Sequence, residues 1–408
     1  MPIDPLDVRT NSSVCGTIRD DGGGAAHHSP GTLRVERVTT LPALDLLLDE
    51  APELGKDEAL PLPLSRAWLR AWVAGFWKET SKLRARSLEV LVVRDGDGIA
   101  AVAPCERAVG RYHGVPIRMT RSLSNGSSPW WDLLWRRDLD QAGRLTVATA
   151  LLDAFRDPLV VLTRLASRSP LRHVLEMQPP SARTRALRVD VLQTPVIDCT
   201  RSWDQFEAQL SRKHRKEMRR KIRRFEDAGA VSVDRHLLSS GADPLFQTMV
   251  EVSAASWKAG AGRDLSHYGE NREFLAHCVD HLGPSGRAEL WIARQSGRAI
   301  AYELHLRDGD ATYPIQADFD ERARALSPGS VVEWHALRHA FATGTIERYD
   351  SCAADYWYLR RMTPRQRESH TIWLLDRSVT GRFVHAAETR AKPLYRRLRR
   401  QGEDHQRA

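Results

Sequence analysis

Apolar and polar residues follow a regular order along the first half of the chain, and this order predicts alternating strands and helices. A strand repeats at every second residue and a helix at about every 3.6 residues, so each stretch is assigned by its spacing. Strands are predicted for "TLRVERV" and "PLVVLTRLA", helices for "LPLSRAWLRAWVAGFWKE" and "AGRLTVATALLDAFRD", and a hairpin with a Gly/Asp turn for "SLEVLVVRDGDGIAAVAPCERAV".

The second half of the chain repeats this order, and its hairpin "AELWIARQSGRAIAYEL" corresponds closely to "LEVLVVRDGDGIAAVAP" in the first half. The correspondence indicates two copies of one α/β unit. Predicted strands are "AVSVDRHLL", three successive strands in "RAELWIARQSGRAIAYELHLRDGDATYPIQADFD", "IERYD" and "HTIWLLD"; predicted helices are "DPLFQTMVEVSAASWKAG", "NREFLAHCVDHLG", "PGSVVEWHALRHAFATG" and a basic helix that closes the chain.

The mixed strand order, an antiparallel meander followed by a helical crossover, predicts an α/β protein with two tandem domains, each a mixed central sheet flanked by helices. Neither G-x-G-x-x-G nor G-x-x-x-x-G-K-[ST] occurs, which weighs against dinucleotide and P-loop folds. The predicted divisions are an unstructured Gly-rich leader at 1–32, a first domain at 33–200, a basic linking helix at 201–229, a second domain at 230–380, and a basic helix and tail at 381–408.

The linking segment is predicted to be one long helix that starts with a capping box at Ser202 and Gln205 and stops at Gly229. Its mostly apolar stripe must pack against the rest of the protein. The stripe consists of Phe206, Leu210, His214, Met218, Ile222 and Phe225.

The other faces of this helix are strongly basic. Between Arg212 and Arg224 there are nine Lys/Arg and one acid, which is +8 of the chain's net +9 and leaves 52 basic and 51 acidic residues elsewhere. Such self-repulsion favours an anionic partner: CoA phosphates, a phosphorylated or nucleotide-linked substrate, tRNA or a membrane surface. The alternative is a solvated charged face. Arg215 and Arg219 are candidate substrate-binding residues, and we expect no reading of nucleic-acid sequence, since no helix-turn-helix motif is found.

The remaining composition predicts a soluble cytoplasmic protein. Five scattered cysteines have no metal-ligand spacing, which indicates free thiols, a reducing compartment and no metal site. The N-terminus lacks the pattern of a secretory signal, and no stretch approaches the ~20 apolar residues of a membrane span. Peripheral membrane contact and the oligomeric state stay open.

Four stretches, in order, resemble one family: "SRKHRKEMRRKIRRFEDAG", "SWKAGAG", "ADFDERARALSPGSVVEWHALRHAF" and "RYDSCAADYW". The chain resembles GNAT-fold acyltransferases of the CelD/BcsL type, which are related to the Fem-like peptidyl transferases. The resemblance is clear over about residues 200–375 and weaker over 33–200. It implies tandem GNAT-like domains that transfer an acyl group from acyl-CoA to an amine or hydroxyl of a sugar, lipid-linked or peptide acceptor. The expected acyl group is acetyl.

The resemblance also implies where the donor binds. The strand before the long helix splays from its neighbour, the thioester lies in the gap, and the pyrophosphate lies on backbone N–H groups at the helix N-terminus. The candidate cofactor-binding residues are Arg322, Arg324, Ser327, Gly329 and Ser330. The family's Arg/Gln-x-x-Gly-x-Gly/Ala loop is not intact here, which keeps aminoacyl-tRNA open as the donor. The alternative is an ordinary helix cap.

Acyl transfer needs a base for the acceptor's proton and an acid for the leaving thiol. The candidate bases are Glu303, Asp318 and Asp350, and the candidate acids are Tyr356 and Tyr358. The alternatives are that Asp350 caps the following turn and that Glu303 pairs with Arg307 on its own strand. Cys352 is interpreted as packing or as backbone shape, because no histidine lies near it in sequence.

Three further residues are candidates for substrate binding: Trp257 and Lys258, which match the family's "WK", and Gln316, two residues before Asp318 on one strand face. Three function classes remain. An acyl-CoA-dependent N- or O-acyltransferase leads, a Fem-like aminoacyl-tRNA-dependent transferase is second, and a non-catalytic GNAT-fold binding protein is third. The first half, which has no Ser-Pro-Gly-type helix start, is interpreted as structural and acceptor-binding.

Overall fold

The computed structural model describes residues 33–52, 54, 62–77, 86–96, 98–112, 115–177, 184–352 and 358–387. These residues form fifteen strands and ten α-helices. The strands are β1 Leu33–Val38, β2 Arg86–Leu88, β3 Val90–Asp95, β4 Gly98–Ala103, β5 Cys105–Tyr112, β6 Val115–Ser122, β7 Leu134–Trp135, β8 Leu159–Ala166, β9 Thr184–Asp198, β10 Val231–Leu237, β11 Ala288–Gln295, β12 Arg298–Asp308, β13 Ala311–Phe319, β14 Arg348–Asp350 and β15 Gln366–Asp376.

The helices lie mostly where the sequence spacing predicts them. They are α1 Leu41–Glu50, α2 Arg66–Phe76, α3 Gln141–Ala154, α4 Pro170–Met177, α5 Trp203–Gln209, α6 Arg212–Glu226, α7 Pro244–Ala254, α8 Gly269–Leu282, α9 Pro328–Thr343 and α10 Val379–Ala386. The predicted leader at 1–32 and the end of the predicted basic tail, from 388 onward, lie outside the described residues.

Two sheets make up the fold, a four-stranded one in the order β1-β3-β4-β7 and an eleven-stranded one in the order β10-β11-β12-β13-β14-β9-β15-β8-β6-β5-β2. Strands β10 to β13 form an antiparallel meander, and α9 then crosses over so that β14 lies parallel to β13. The mixed α/β class predicted from the sequence is therefore confirmed.

One sheet runs through both halves of the chain because two strands are exchanged. Strand β9, at the end of the first half, pairs with β14 of the second half. Strand β15, from the last part of the chain, lies between β9 and β8, antiparallel to both. The halves are thus joined by a continuous hydrogen-bonded ladder as well as by the basic segment. Strands β6 and β9 were not anticipated from the sequence, and β5 was anticipated only in part, as the end of the first-half hairpin.

The two halves also share a hydrophobic core. Helices α2 and α8 cross at a close contact, with the rings of Trp68 and Phe274 edge to face at a centroid separation of 4.9 Å. Gly75 makes this approach possible, because a Cβ at that position would lie 2.5 Å from the backbone nitrogen of Phe274. The core that faces the site is therefore built jointly by both halves.

The basic segment forms two helices, and not the single helix predicted. Helix α5 begins with the predicted capping box of Ser202 and Gln205. The chain then breaks at Leu210, and Ser211 caps α6 by accepting a hydrogen bond from the backbone N–H of His214 at 3.1 Å. A serine side chain that competes for backbone donors favours such a restart. The predicted stripe is buried against α9 apart from Ile222, which is half-buried.

Candidate active site

A cavity of about 680 Å³ opens where β13 and β14 separate. The two strands pair in parallel only at Ala311 and Thr312. A bulge follows in β13, where the register with β12 skips Ile315, and the rest of β13 diverges from β14. The cavity fills this gap. The second half of β13 forms one side, and residues at and just after the end of β14 form the other.

The first turn of α9 forms the end of the cavity. Ser327 precedes the helix in the left-handed conformation, at φ 54°, and makes no side-chain cap hydrogen bond. Gly329 and Ser330 line the cavity, and Ser330 Oγ accepts a hydrogen bond from Lys221 Nζ at 3.1 Å. The first backbone N–H groups of a helix attract anions because they have no intrahelical acceptor. This turn, with the lysine beside it, has the features of an anion site.

The two arginines predicted to assist this turn are engaged elsewhere. Arg322 donates twice to Asp320, at 2.9 and 3.0 Å, and its side chain is 70% exposed. Arg324 donates twice to Glu321. Neither arginine lines the cavity. The structure therefore does not bring Arg322 and Arg324 to the candidate donor site, because acids within the same short turn hold both guanidinium groups.

Glu303 on β12 and Glu333 on α9 are two of the acids that line the cavity. Tyr349 donates to Glu303 Oε1 at 3.4 Å. His305 Nε2 lies 3.1 Å from Glu303 Oε2, but the two atoms lack hydrogen-bond geometry. Glu303 thus keeps one carboxylate oxygen without a hydrogen-bond donor among the described residues.

The pKa of Glu333 lies well above that of an ordinary glutamate. Burial, and then the negative charge of Glu303, raise the pKa of Glu333 to about 8, while Lys221 opposes the change. The carboxyl is surrounded by protein yet borders cavity solvent. At neutral pH Glu333 therefore keeps its proton, the usual outcome when a carboxyl is buried beside another acid. Burial and the charge of Glu303 also raise the pKa of Tyr349, which stays protonated.

The Asp318 carboxylate is held in place by several hydrogen-bond donors and a lysine. Its Oδ2 accepts from Ser253 at 2.8 Å, Tyr302 at 2.9 Å and Gln316 at 3.2 Å. Its Oδ1 lies 2.5 Å from Lys258 Nζ, which also donates to the carbonyl of Ala317 at 3.1 Å. These donors stabilise the carboxylate and occupy its lone pairs. Both Lys258 and Gln316 line the cavity, and each contacts Asp318.

Asp350 lies outside the cavity lining, fully buried in an ion pair with Arg367 of β15. Its Oδ1 also accepts from the backbone N–H of Cys352 at 3.2 Å, the turn cap that the sequence offered as the alternative to catalysis. Cys352 has φ 51°, and burial raises the pKa of its thiol well above the ordinary value. Both residues therefore shape the backbone after β14.

The basic helix α6 presents one face to the cavity and another to solvent. His214, Glu217, Met218 and Lys221 line the cavity. Arg215 donates instead to the carbonyls of Glu207 and Ala208 on α5, and Arg219 pairs with Glu207 while 73% of its side chain is exposed. The structure does not bring Arg215 or Arg219 to the cavity, since both positions lie away from the packed stripe.

The first half of the chain supplies a further wall, formed by Trp68, Gly126, Ser127 and Arg164. A chain of weak hydrogen bonds crosses from this wall to the second half. Ser127 Oγ donates to Asn271 Oδ1 at 3.3 Å, and Asn271 Nδ2 donates to Gln316 Oε1 at 3.5 Å. The cavity is therefore a joint product of both halves.

The remaining candidates lie at the rim. Trp257 lines the cavity with 56% of its surface exposed, and Tyr358 lines it from the segment after β14. Tyr356 lies outside the described residues. Sequence reasoning missed Glu333, Lys221, Tyr349 and Arg164. A signal existed for Glu333, since it lies one turn after Gly329 and Ser330 on the same face of the predicted helix.

Comparisons with known proteins agree with this arrangement for part of the chain. The family model described as "Acetyltransferase (GNAT) domain" matches residues 212–360. This range contains α6, β13, the first turn of α9 and β14, the elements that form the splayed gap. The predicted resemblance to GNAT proteins is confirmed for this segment.

Solved structures give more distant likenesses. FemX is 10% identical, with 79% of this chain and 95% of that chain covered and a TM-score of 0.49. A tandem GNAT protein from the clavulanic acid biosynthesis pathway is 11% identical, covering 85% and 98%, at 0.43. The C-terminal domain of a putative lysylphosphatidylglycerol synthetase from Agrobacterium fabrum is 12% identical, covering 72% and 85%, at 0.42. At these scores none of the three supports a statement about activity.

No curated protein matches the chain. Among the described ranges, no helix combines the length and apolar character needed to cross a bilayer. The same part of the chain holds no group of three or more His, Cys, Asp or Glu suited to a metal ion. The four cysteines that the structure describes, Cys105, Cys199, Cys278 and Cys352, form no disulfide.

Proposed function

We propose that this protein is an acyltransferase that moves an acyl group from acyl-CoA, with acetyl-CoA as the first donor to test, to an amine or hydroxyl of an acceptor in the shared cavity. One observation carries the proposal: β13 and β14 separate after Thr312, and the gap is closed at one end by the first turn of α9. The GNAT match over residues 212–360 covers the same elements. The narrower CelD/BcsL type remains part of the proposal.

The donor's diphosphate would bind at the first turn of α9. Gly329 has room around it, since a Cβ there would meet only Phe319 at 3.5 Å, and a ligand can approach its backbone closely. Lys221 adds a positive charge at Ser330. The pantetheine arm would extend along the free edge of β13 beyond Thr312, where its amides could use the backbone groups that β14 leaves unpaired.

Glu303 is the best placed of the predicted bases. In the proposed reaction the acceptor nitrogen or oxygen attacks the thioester carbonyl carbon, the new C–N or C–O bond forms, and the C–S bond breaks. The acceptor's proton passes to a Glu303 carboxylate oxygen, and the sulfur leaves as a thiolate that takes a proton from Tyr358. A protonated Glu333 keeps the charge of the pair at one. The contacts of Asp318 and Asp350 favour structural roles for them.

A second candidate is a transferase that takes its acyl group from aminoacyl-tRNA. The observation in its favour is the outward face of α6, where seven basic residues are exposed: Arg212, Lys213, Lys216, Arg219, Arg220, Arg223 and Arg224. A surface of this density can neutralise several phosphates of a nucleic acid. The face lies on the side of α6 opposite to its packed stripe, so it could hold a large donor outside the cavity.

Titration calorimetry with acetyl-CoA, other acyl-CoAs and aminoacyl-tRNA separates these functions. We expect acetyl-CoA to bind the wild-type protein and Gly329→Val to weaken that binding by about tenfold or more, because the branched side chain blocks the approach to the first turn. Gly269→Val is the matched control, since Gly269 also begins a helix in open space but lies outside the cavity.

Three outcomes decide the matter, with folding of each variant checked by circular dichroism. Binding of acetyl-CoA that Gly329→Val weakens and Gly269→Val leaves alone supports the proposal. Binding of aminoacyl-tRNA alone, lost when exposed arginines of α6 are changed to Gln, replaces it with the second candidate. Absence of binding by every acyl-CoA and every tRNA, in a folded protein, refutes both and favours a non-catalytic protein.

A further inference from the structure

Arg164 stands out among the residues of the cavity wall. It lies in β8 at a bulge, where the register with β15 places Thr163 and Arg164 opposite the single residue Thr371. Its φ is 58°, in the left-handed region that an arginine rarely adopts. Bulges re-aim side chains, and strain of this kind persists where the surroundings impose it. The fold therefore holds this arginine at the cavity at some conformational cost.

The guanidinium of Arg164 has little to bind within the protein. One nitrogen donates to the carbonyl of Ser128 at 2.8 Å, next to Ser127, which also lines the cavity. Burial lowers the pKa of this arginine, and no acid opposes the effect. Among the described residues it has no carboxylate partner, although a guanidinium offers five donors.

The other cations of the cavity have acidic neighbours. Lys258 lies 2.5 Å from Asp318, and Lys221 and Arg361 lie 3.5 and 4.0 Å from Glu217. Arg164 differs from these cations in having no acid beside it in the described part of the chain, and its charge is left for a ligand. It belongs to the wall from the first half of the chain, whereas the candidate donor turn belongs to the second half. An arginine with spare donors suits a carboxylate or a phosphate, which it can bind through two parallel hydrogen bonds.

We propose that Arg164 binds an anionic group, a carboxylate or a phosphate, of the acceptor substrate, and that Ser127 and Asn271 complete this subsite. The identification of the ligand as the acceptor rests on the proposed acyl transfer. The anion site itself does not depend on that proposal. Trp68, Phe274 and Leu275 line the same cavity, so the acceptor also has an apolar wall to contact. The acceptor class is thus an amphiphilic molecule with an anionic head.

Two matched pairs of probes test the subsite and separate its two chemistries. Phenylphosphate is compared with benzyl alcohol, and 3-phenylpropionate with 3-phenylpropan-1-ol, by saturation-transfer NMR on the full chain saturated with coenzyme A. Bound coenzyme A occupies the donor's phosphate site, so an anion that still binds must use another. We expect at least one of the two anions to bind at millimolar concentration or below, and the alcohols to bind about tenfold or more weakly.

Arg164→Gln should weaken binding of the anion by about tenfold or more. Arg164→Lys should weaken it by less, because lysine keeps the charge but not the paired donors of the guanidinium. Arg164→Asn provides a variant that tolerates the left-handed backbone, in case Gln does not fold. Arg172→Gln is the matched control: Arg172 also donates to a backbone carbonyl, that of Ser167 at 2.7 Å, but lies outside the cavity.

Each outcome of this experiment leads to a different conclusion. Binding of phenylphosphate alone assigns a phosphate-bearing acceptor, and binding of 3-phenylpropionate alone assigns a carboxylate. Equal binding of anions and alcohols, equal binding to Arg164→Gln or Arg164→Asn, or displacement of the anion by coenzyme A overturns the subsite. If coenzyme A itself does not bind but the Arg164-dependent anion does, the acyl-CoA proposal fails while the anion site stands.

Discussion

Replacing Glu333 by Gln should make the stability of this protein less dependent on pH. Burial and the charge of Glu303 raise the pKa of Glu333 from an ordinary value of 4.5 to about 8. Between these two values the folded protein keeps a proton that the unfolded chain releases. The free energy of unfolding of the wild type must therefore fall as the pH rises through this window, and be at its highest below it.

The size of the effect follows from linkage. Each pH unit inside the window removes at most about 1.4 kcal/mol, so the change between pH 5.5 and pH 8 is at most about 3 kcal/mol. Solvent in the cavity partly screens the carboxyl, and we expect about 2 kcal/mol. Glutamine has the same shape and cannot ionise. Relative to the wild type, Glu333→Gln should thus gain about 2 kcal/mol of stability as the pH is raised from 5.5 to 8.

Urea unfolding at pH 5.5, 6.5, 7.5 and 8.0, followed by circular dichroism, measures this directly. Glu226→Gln is the control, since it makes the same chemical change at an exposed acid at the end of α6. Glu303→Gln should reduce the slope as well, because it removes the neighbouring charge. Parallel curves for the wild type and Glu333→Gln would show that burial beside Glu303 does not keep a proton on Glu333, and would refute the reasoning.

Three further changes test the fold and the site. Gly75→Ala should lower the free energy of unfolding by about 1–3 kcal/mol in urea, since its Cβ meets backbone of α8 at 2.5 Å, and an unchanged midpoint would contradict that contact. Lys221→Met should raise the dissociation constant of acetyl-CoA about fivefold or more by calorimetry while Arg219→Met leaves it within about twofold, and equal effects would refute the placement. Asp350→Asn should destabilise by about 3 kcal/mol because Arg367 loses its partner, Arg367→Met should partly restore stability in the double variant, and a neutral Asp350→Asn would argue against the ion pair.

Local sequence signals predicted much of the second half correctly. Pro328 and Gly344 bound α9 as expected, and the three-strand meander lies where alternation placed it. These features depend on spacing and on the conformational preferences of Pro and Gly, which act within a few residues. The apolar stripe of the basic segment was also identified from spacing alone. The break at Ser211 was missed, because a serine after Leu210 can either continue a helix or cap a new one.

The candidate site was predicted in part. Glu303, Gln316, Asp318, Lys258, Gly329 and Ser330 do line the cavity. Arg322 and Arg324 were expected beside them because they are close in sequence, yet local acids hold their guanidinium groups away. Nothing in the sequence distance between Arg164 and Glu303 indicates that one cavity contains both. Their meeting depends on which helices and strands pack together.

The sequence by itself determined the mixed α/β class, the alternation of strands and helices, and the strongly basic stretch with its buried stripe. Only the tertiary structure decided that β9 and β15 are exchanged between the halves, that a single cavity has walls from both, and that Lys221 faces it while Arg215 and Arg219 do not. The physical reason is range. Helix and strand patterns arise from neighbours a few residues apart, whereas strand pairing and the burial that alters a carboxyl such as Glu333 depend on residues far apart in the chain.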